Sequence, residues 1–147
     1  MIDPSHVGAQ VQSFTTQVDD WRLRFFAEAT GQDDPAYHDP AVARARGWPG
    51  LPVPPTFLFC LESDAPDPLA VFRLLEVDLG RVLHGEQHFR YHRMAFAGEP
   101  LTFRTHVADI YARKGGAMEF VVLETQVTDR GGAPVAELGT TLVVRNG

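Results

Sequence analysis

The spacing of apolar residues changes partway along the chain, from helical to alternating. In the first half an apolar stripe recurs at helical spacing, at Trp21, Phe25, Phe26 and Ala29. This spacing predicts an amphipathic helix over Gln17–Thr30 with its aromatic stripe facing the core. Thr16 followed by Asp19 resembles a capping box at the start of the helix, and Gly31 is placed to end it. An extended segment over Val7–Thr15 precedes this helix.

The next stretch of the chain is rich in turn formers and predicts only short helices. Asp39 is placed to cap a helix that runs to Arg46. Pro55 suits the first position of a helix, because a proline there gives up an N–H that has no helical partner. The following run, Thr56–Leu61, is apolar on nearly every side, which is typical of a buried helix. A further short helix is predicted over Pro68–Leu75.

From Val82 onward the apolar residues alternate with polar ones, as they do in strands. The alternation is carried by runs around Phe89–Tyr91, Leu101–Val107, Met118–Val122 and Val135–Val144. Glycine-containing turns separate the later runs, which predicts an antiparallel meander of four long strands. An apolar helix followed by an antiparallel sheet that wraps it is an α+β arrangement, the hot-dog fold.

Composition narrows the classes of protein that this chain can be. Its 147 residues suit one domain, residues 1–147, and the net charge of −6 with scattered basic residues argues against a nucleic-acid partner. Cys60 is the single cysteine and lies among apolar neighbours, so we expect an inert buried thiol and a reducing compartment. No apolar run approaches the length of a membrane span. We therefore expect a cytoplasmic protein without a membrane partner.

Three segments of the chain resemble the MaoC-like dehydratases and hydratases. They are D-D-P-A-Y-H-D-P-A-V-A-R-A-R-G-W-P-G-L-P-V-P-P-T-F, V-L-H-G-E-Q-H-F-R-Y-H-R and A-G-E-P-L-T-F. The resemblance extends over nearly the whole chain and is strongest to the N-terminal-type half, the non-catalytic subunit of heterodimeric (3R)-hydroxyacyl-ACP dehydratases. It implies a hot-dog fold, an acyl-CoA or acyl-ACP thioester of fatty acid metabolism as ligand, and no cofactor. It also implies a dimer, either a homodimer or a heterodimer with a catalytic MaoC-like subunit.

The catalytic pattern of this family, Asp-x-Asn-Pro-x-His, is altered in this chain. When the pattern is aligned on Pro35, Gln32 stands at the aspartate position and Tyr37 at the histidine position. An amide cannot accept a proton and a phenol is a poor base at neutral pH, so neither suits acid–base catalysis. The family also has a His-Gly pair whose N–H groups polarise the thioester carbonyl. Here Pro54 and Pro55 stand at that point, and proline has no N–H to donate.

Other polar residues near this segment allow alternative interpretations. Asp33 and His38 have the spacing of the catalytic pair if the alignment slides by one residue, although both also suit a turn. The string His84–Glu86 could form a site, but at the start of a strand a structural role is favoured. The remaining candidates for a metal, His88, His92 and His106, lack the spacing of a ligand set, so we expect no metal.

The sequence thus favours the substrate-binding half of an (R)-specific enoyl-CoA or enoyl-ACP hydratase or 3-hydroxyacyl dehydratase, with little activity of its own. The residues expected to line the acyl site are Tyr37, Thr56, Phe57 and Cys60. One alternative is a homodimeric acyl-CoA thioesterase, for which Glu62 or Asp64 would be the carboxylate. Another is a hot-dog protein that binds acyl thioesters without turning them over.

Overall fold

The computed structural model describes residues 1–146 and consists of short helices and one antiparallel sheet. In chain order the main elements are β1 (Gln10–Thr16), α1 (Asp20–Ala29), α2 (Pro40–Ala45), α3 (Phe57–Glu62), α4 (Ala70–Leu74), β2 (Val82–Tyr91), β3 (Leu101–Arg113), β4 (Met118–Thr128) and β5 (Pro134–Arg145). Single turns of 3-10 helix lie at Pro4–His6, Pro35–Tyr37, Leu79–Arg81 and Lys114–Gly116.

The five strands pair in the order β1-β3-β4-β5-β2, and every pairing is antiparallel. The strands β3, β4 and β5 form the predicted meander. The expectation that β2 would continue that meander was wrong, because β2 pairs with β5 and lies at the edge of the sheet. After β2 the chain leaves the sheet and joins the loop before α3, where Val53 N donates to Ala95 O at 2.8 Å and Ala97 N donates to Leu51 O at 2.9 Å.

The sheet curves around α3, which is the central helix of a hot-dog fold and confirms the predicted fold class. Leu58 and Leu61 of α3 are at most 2% exposed. They belong to an apolar cluster with inward-facing residues of the sheet, including Leu101, Phe103, Val127 and Leu138. The helix begins at Phe57, after the prolines, rather than at Pro55.

The expectation that this helix is buried on all sides was wrong for one face. Phe59 is 37% exposed, and Cys60 is only half-buried. Six residues make less than two helical turns, so a helix of this length cannot present every side chain to a sheet on one side.

The predicted first helix is present as α1, but of its three aromatic residues only Phe26 packs against the core. Trp21 is 62% exposed and Phe25 is 68% exposed, whereas Leu23 and Ala27 are at most 1% exposed. Leu23 and Ala27 are one turn apart, and Phe26 lies beside them with its ring 5.0 Å from that of Phe57. The apolar face therefore includes Leu23, which stands between two arginines in the sequence, whereas Trp21 and Phe25 are exposed to solvent.

The two ends of α1 differ in how they are formed. The predicted capping box is absent, because Thr16 belongs to β1 and its hydroxyl donates to Asp64 Oδ2 at 3.1 Å. The predicted stop at Gly31 is present: its φ is +70°, and Gln32 N donates to Ala27 O at 2.9 Å. This is a Schellman motif, and it fixes the direction in which the chain leaves the helix at Gln32.

A bulge interrupts β2 between His84 and Glu86, at Gly85. A Cβ at Gly85 would lie 2.8 Å from Val143 Cγ2 and 3.1 Å from the carbonyl oxygen of Thr141. These distances are too short for an alanine, so this position requires the close approach that only glycine permits. Gly85 therefore has a packing role in the edge of the sheet.

We predict that Gly85→Ala lowers the free energy of unfolding by about 1–3 kcal/mol, because the new methyl group overpacks the sheet against Val143. Urea denaturation monitored by circular dichroism measures the loss. Gly50→Ala is the matched control, because nothing lies within 4 Å of a Cβ at that position. In a double-mutant cycle, Val143→Ala should offset part of the cost. A full, additive cost in the double variant would contradict the proposed contact.

Candidate functional site

The loop that follows α1 is held in place by an ion pair at Asp34. Both carboxylate oxygens of Asp34 accept hydrogen bonds at 2.7 Å from the Arg46 guanidinium, and Oδ1 also accepts from Ala36 N at 3.0 Å. These bonds lower the pKa of the Asp34 carboxyl, with the Arg46 contribution the largest. The pair ties the turn Pro35–Tyr37 to the end of α2 and so sets the position of Tyr37.

Gln32 and His38 both form hydrogen bonds within the same loop. Gln32 Oε1 accepts from Asp34 N at 3.1 Å, and the ring of His38 bonds through Nε2 to the backbone carbonyl of Gln32. Asp33 is exposed, and no hydrogen bond or ion pair joins it to His38 within residues 1–146. The loop thus places His38 against backbone rather than against a carboxylate.

Tyr37 lines a pocket beside the start of α3, hereafter the Tyr37 pocket. Its volume is about 240 Å³ and its lining residues are Tyr37, Val53, Pro55, Leu58, Tyr91, Arg93, Met94, Ala95 and Val135. The hydroxyl of Tyr91 donates to the carbonyl of Pro55, which connects the end of β2 to the turn before α3. Five of the nine lining residues are aliphatic or proline, so the pocket suits an apolar group.

The titratable side chains of the Tyr37 pocket are unsuited to proton transfer at neutral pH. Burial raises the pKa of Tyr91 to about 12. Hydrogen bonds to Glu99 and then to Asp129, the latter at 3.1 Å, raise the pKa of Arg93 and keep it charged. Besides the phenol of Tyr37, the pocket therefore contains the phenol of Tyr91, which stays neutral at neutral pH, and the guanidinium of Arg93, which stays charged. Such groups can hold a ligand but cannot exchange a proton with it efficiently.

The other residues expected to line the acyl site lie outside the Tyr37 pocket. Thr56 is exposed at the start of α3 and makes no capping bond. Phe57 is 4% exposed and lies under the Arg22 guanidinium, 5.5 Å from its ring centroid. Cys60 is half-buried, and desolvation raises the pKa of its thiol. Their roles in ligand binding stay predictions.

Of the residues that line the Tyr37 pocket, sequence reasoning named only Tyr37 as a binding residue, and the missed contributors include Tyr91, Arg93 and Met94. Tyr91 ends β2, and Arg93 and Met94 follow it; Tyr91 and Arg93 lie in the second of the segments that resemble MaoC-like proteins, and Met94 comes directly after that segment. Nothing in their spacing indicates that this end of β2 returns to the start of α3. That proximity follows from the pairing of β2 with β5 rather than with β3.

The two carboxylates considered for a thioesterase have separate environments. Asp64 pairs with Arg22 at 2.8 Å and accepts from Thr16 on the surface. Glu62 is half-buried against the sheet, where its Oε1 accepts a hydrogen bond from the Thr125 hydroxyl at 2.6 Å. Neither residue lines the Tyr37 pocket.

Two histidines of the sheet region lie beside single glutamates rather than in a cluster of metal ligands. His92 lies 3.0 Å from Glu137, and His106 lies 3.7 Å from Glu124. Among the described residues, no group of three or more His, Cys, Asp or Glu side chains is arranged to hold a metal ion. In the same part of the chain, every helix is too short or too polar to cross a membrane.

The family assignment follows from comparison of the whole sequence. Residues 5–138 match the family described as FAS1-like, dehydratase domain region. The chain belongs to this MaoC-like dehydratase family. A UPF0336 protein of Saccharopolyspora erythraea is 39% identical over 124 residues, which cover 84% of this chain and 78% of the relative.

Solved structures of MaoC-like proteins share the fold of this family member. The C-terminally truncated HadBC complex (3R-hydroxyacyl-ACP dehydratase) of Mycobacterium tuberculosis matches with a TM-score of 0.75 and 28% identity, covering 90% of this chain and 96% of that one. A MaoC-like dehydratase matches with a TM-score of 0.82 and 25% identity; it covers 97% of this chain, which spans only 43% of that protein. These similarities confirm the resemblance to MaoC-like dehydratases and the hot-dog fold.

We predict that the contribution of Asp34 to stability depends on pH in one direction. Because the pKa of Asp34 is lowered in the folded protein, the stabilisation is complete above the ordinary aspartate pKa of about 3.9 and is lost as the pH falls through the lowered value. Asp34→Asn should therefore be less stable than the natural protein at pH 7 and equal to it well below pH 4. Urea denaturation at several pH values measures the difference.

Asp33, the exposed residue next to Asp34, provides the control for this pH series. Asp33→Asn removes the same charge from the same loop without breaking the Asp34–Arg46 pair, so its effect should be small at every pH. A deficit of Asp34→Asn that persists undiminished at low pH would show that the ion pair is not its cause.

Proposed function

We propose that this chain is the substrate-binding, non-catalytic subunit of an (R)-specific enoyl-thioester hydratase or 3-hydroxyacyl-thioester dehydratase. In this proposal a second hot-dog subunit carries the Asp/His pair and moves the protons. The present chain contributes the Tyr37 pocket to the acyl site. The reaction is the reversible addition of water across a trans-2-enoyl thioester, which needs no cofactor.

The observation that carries the proposal is the set of groups around Tyr37. At the family's catalytic positions stand Gln32, whose amide accepts a loop hydrogen bond, and Tyr37, which lines an apolar pocket. The nearest histidine, His38, is bonded to a backbone carbonyl. The site thus keeps the shape of a small-molecule cleft but has no histidine or carboxylate among its lining residues to act as a base.

The turn before α3 supports the same conclusion. Pro54 and Pro55 occupy the point where the family presents N–H donors to the thioester carbonyl, and proline has none. The carbonyl of Pro55 instead accepts a hydrogen bond from Tyr91. An acceptor cannot stabilise the negative oxygen that develops during the reaction, so carbonyl polarisation is assigned to the partner.

The edge of the sheet supports a dimer. β2 pairs with β5 on one side only, and such a ten-residue edge is a ready template for another strand. At the mouth of the Tyr37 pocket, Tyr91 is 41% exposed and Met94 is 42% exposed, so a partner on this edge would cover apolar surface. The similar HadBC structure is a complex of two subunits, and it is named for a (3R)-hydroxyacyl-ACP dehydratase.

We predict that the isolated chain hydrates crotonyl-CoA only slowly. The reference is the rate of its complex with a catalytic hot-dog subunit that has an intact Asp-x-Asn-Pro-x-His pattern, and the isolated chain should reach only a small fraction of that rate. The loss of acid–base catalysis alone corresponds to a factor of about 10²–10⁴. Absorbance of the enoyl thioester measures hydration, and free thiol measures hydrolysis. Size-exclusion chromatography with light scattering measures complex formation.

Variants separate the alternatives. Asp33→Ala and His38→Ala in this chain should leave the activity of the complex within a few fold of its starting value. If the isolated chain is fully active and either variant abolishes that activity, the shifted pair is catalytic and the proposal fails. Release of free thiol by the isolated chain, abolished by Glu62→Gln, would instead identify a thioesterase.

A further inference from the structure

A second cavity lies at the other end of α3 and shares no lining residue with the Tyr37 pocket. This cavity, hereafter the Glu62 groove, has a volume of about 350 Å³, within the range of small-molecule sites. Its walls are mostly apolar and include Phe59, Val71, Phe72, Leu123 and Leu142. The two cavities lie near opposite ends of β2: His84 lines the groove and Tyr91 lines the pocket, seven residues or about 23 Å apart along an extended strand.

A chain of hydroxyl groups crosses the sheet beneath the groove and ends on Glu62. Thr125 donates its one hydroxyl proton to Glu62 Oε1 at 2.6 Å. The 2.8 Å bond between Thr105 and Thr125 must then be donated by Thr105, because Thr125 has no second proton to give. Both hydroxyl groups therefore point their protons toward the carboxyl, and Glu62 Oε2 keeps its capacity for a further hydrogen bond.

The surroundings of Glu62 indicate which partners its carboxyl can accept. Burial raises the pKa of Glu62, and the bond from Thr125 offsets only part of that shift. Glu62 is a groove-lining residue, and no lysine or arginine lines the groove. The one lining residue that could carry a positive charge, His84, is exposed. The apolar walls would desolvate a ligand charge of either sign, so an uncharged hydrogen-bonding group is favoured.

The side chain of Gln87, beside the groove, has a donor without an acceptor. Thr140, which lines the groove, donates to Gln87 Oε1 at 2.7 Å. Gln87 Nε2 is buried and has no hydrogen-bond acceptor within residues 1–146. The polar row under the groove therefore has unused hydrogen-bonding capacity at Glu62 and at Gln87, with apolar walls on either side.

We propose that the Glu62 groove is a binding site for an elongated apolar molecule that carries one hydroxyl group within its chain, and that this hydroxyl donates a hydrogen bond to the Glu62 carboxyl. The apolar walls hold the two arms of the molecule, and Glu62 bonds the oxygen between them. Glu62 thereby selects an oxygenated chain over a plain hydrocarbon. The site is independent of the function proposed for the Tyr37 pocket and requires no partner subunit.

Titration of the isolated chain with 5-nonanol, followed by ¹H–¹⁵N NMR, tests this proposal. We expect saturable shifts at groove residues such as Phe59, Leu123 and Thr140, with residues of the Tyr37 pocket unmoved. Glu62→Leu should weaken binding about tenfold, because the hydrogen bond is lost while the apolar walls remain. Glu62→Gln should bind more tightly than Glu62→Leu, since its amide still offers a hydrogen bond to the alcohol.

The controls decide both the location of the site and its chemistry. Asp33→Asn, which removes an exposed carboxylate elsewhere, should leave binding unchanged, and the NMR spectra show whether each variant is folded. Nonanoate should bind more weakly than 5-nonanol. Equal affinity of the natural protein and Glu62→Leu, shifts confined to the Tyr37 pocket, or tighter binding of nonylamine than of the alcohol would each overturn the proposal.

Discussion

Burial of α3 in the concave face of the sheet is the interaction on which the rest of the structure depends. A helix of six residues is too short to be stable alone, so it persists only because the sheet covers it. Leu58 and Leu61 are at most 2% exposed, and each contributes on the order of 1.5–3 kcal/mol through burial. The position of this helix sets both cavities, the Tyr37 pocket at its start and the Glu62 groove at its end.

The hydrogen-bonded side chains of Thr105, Thr125 and Glu62 form a polar row beneath α3 that separates two apolar clusters. One apolar cluster, containing Phe103 and Leu138, lies on one side of Thr105 and Thr125, and a second cluster, containing Val107 and Leu142, lies on the other. Buried hydroxyl groups need partners, and here they are satisfied by each other and by Glu62. The carboxyl of Glu62 is therefore part of the structure of the core as well as of the cavity above it.

The fold could be predicted because its signals are local and because three segments resemble a known family. The Schellman stop at Gly31 and the cap at Asp39 both depend on a few adjacent residues, and both are present. The exposed Trp21 and Phe25 were not predicted, because the same spacing describes either side of the helix until its packing partner is known. Leu23, between two arginines, carries that packing instead.

The candidate site was predicted only where its residues lie in one segment of the chain. Tyr37 was placed by its position beside Pro35, within one segment of the chain. Tyr91 and Arg93 reach the same pocket because β2 crosses to the far edge of the sheet, next to β5. Such a crossover depends on long-range pairing, which alternation of residue type does not encode. The Glu62 groove likewise joins residues from all five strands and from the helices α3 and α4.

The claim that this chain binds the acyl group without moving protons is tested most directly by kcat of the assembled complex. The measurement is the pH dependence of kcat for a complex in which this chain carries Tyr37→Phe. The variant removes only the phenolic hydroxyl of the residue at the family's histidine position. The account predicts that kcat and its pH profile stay unchanged, because the acid and base belong to the partner. A fall in kcat of about a hundredfold or more would contradict it, since that is the scale of a lost acid–base group.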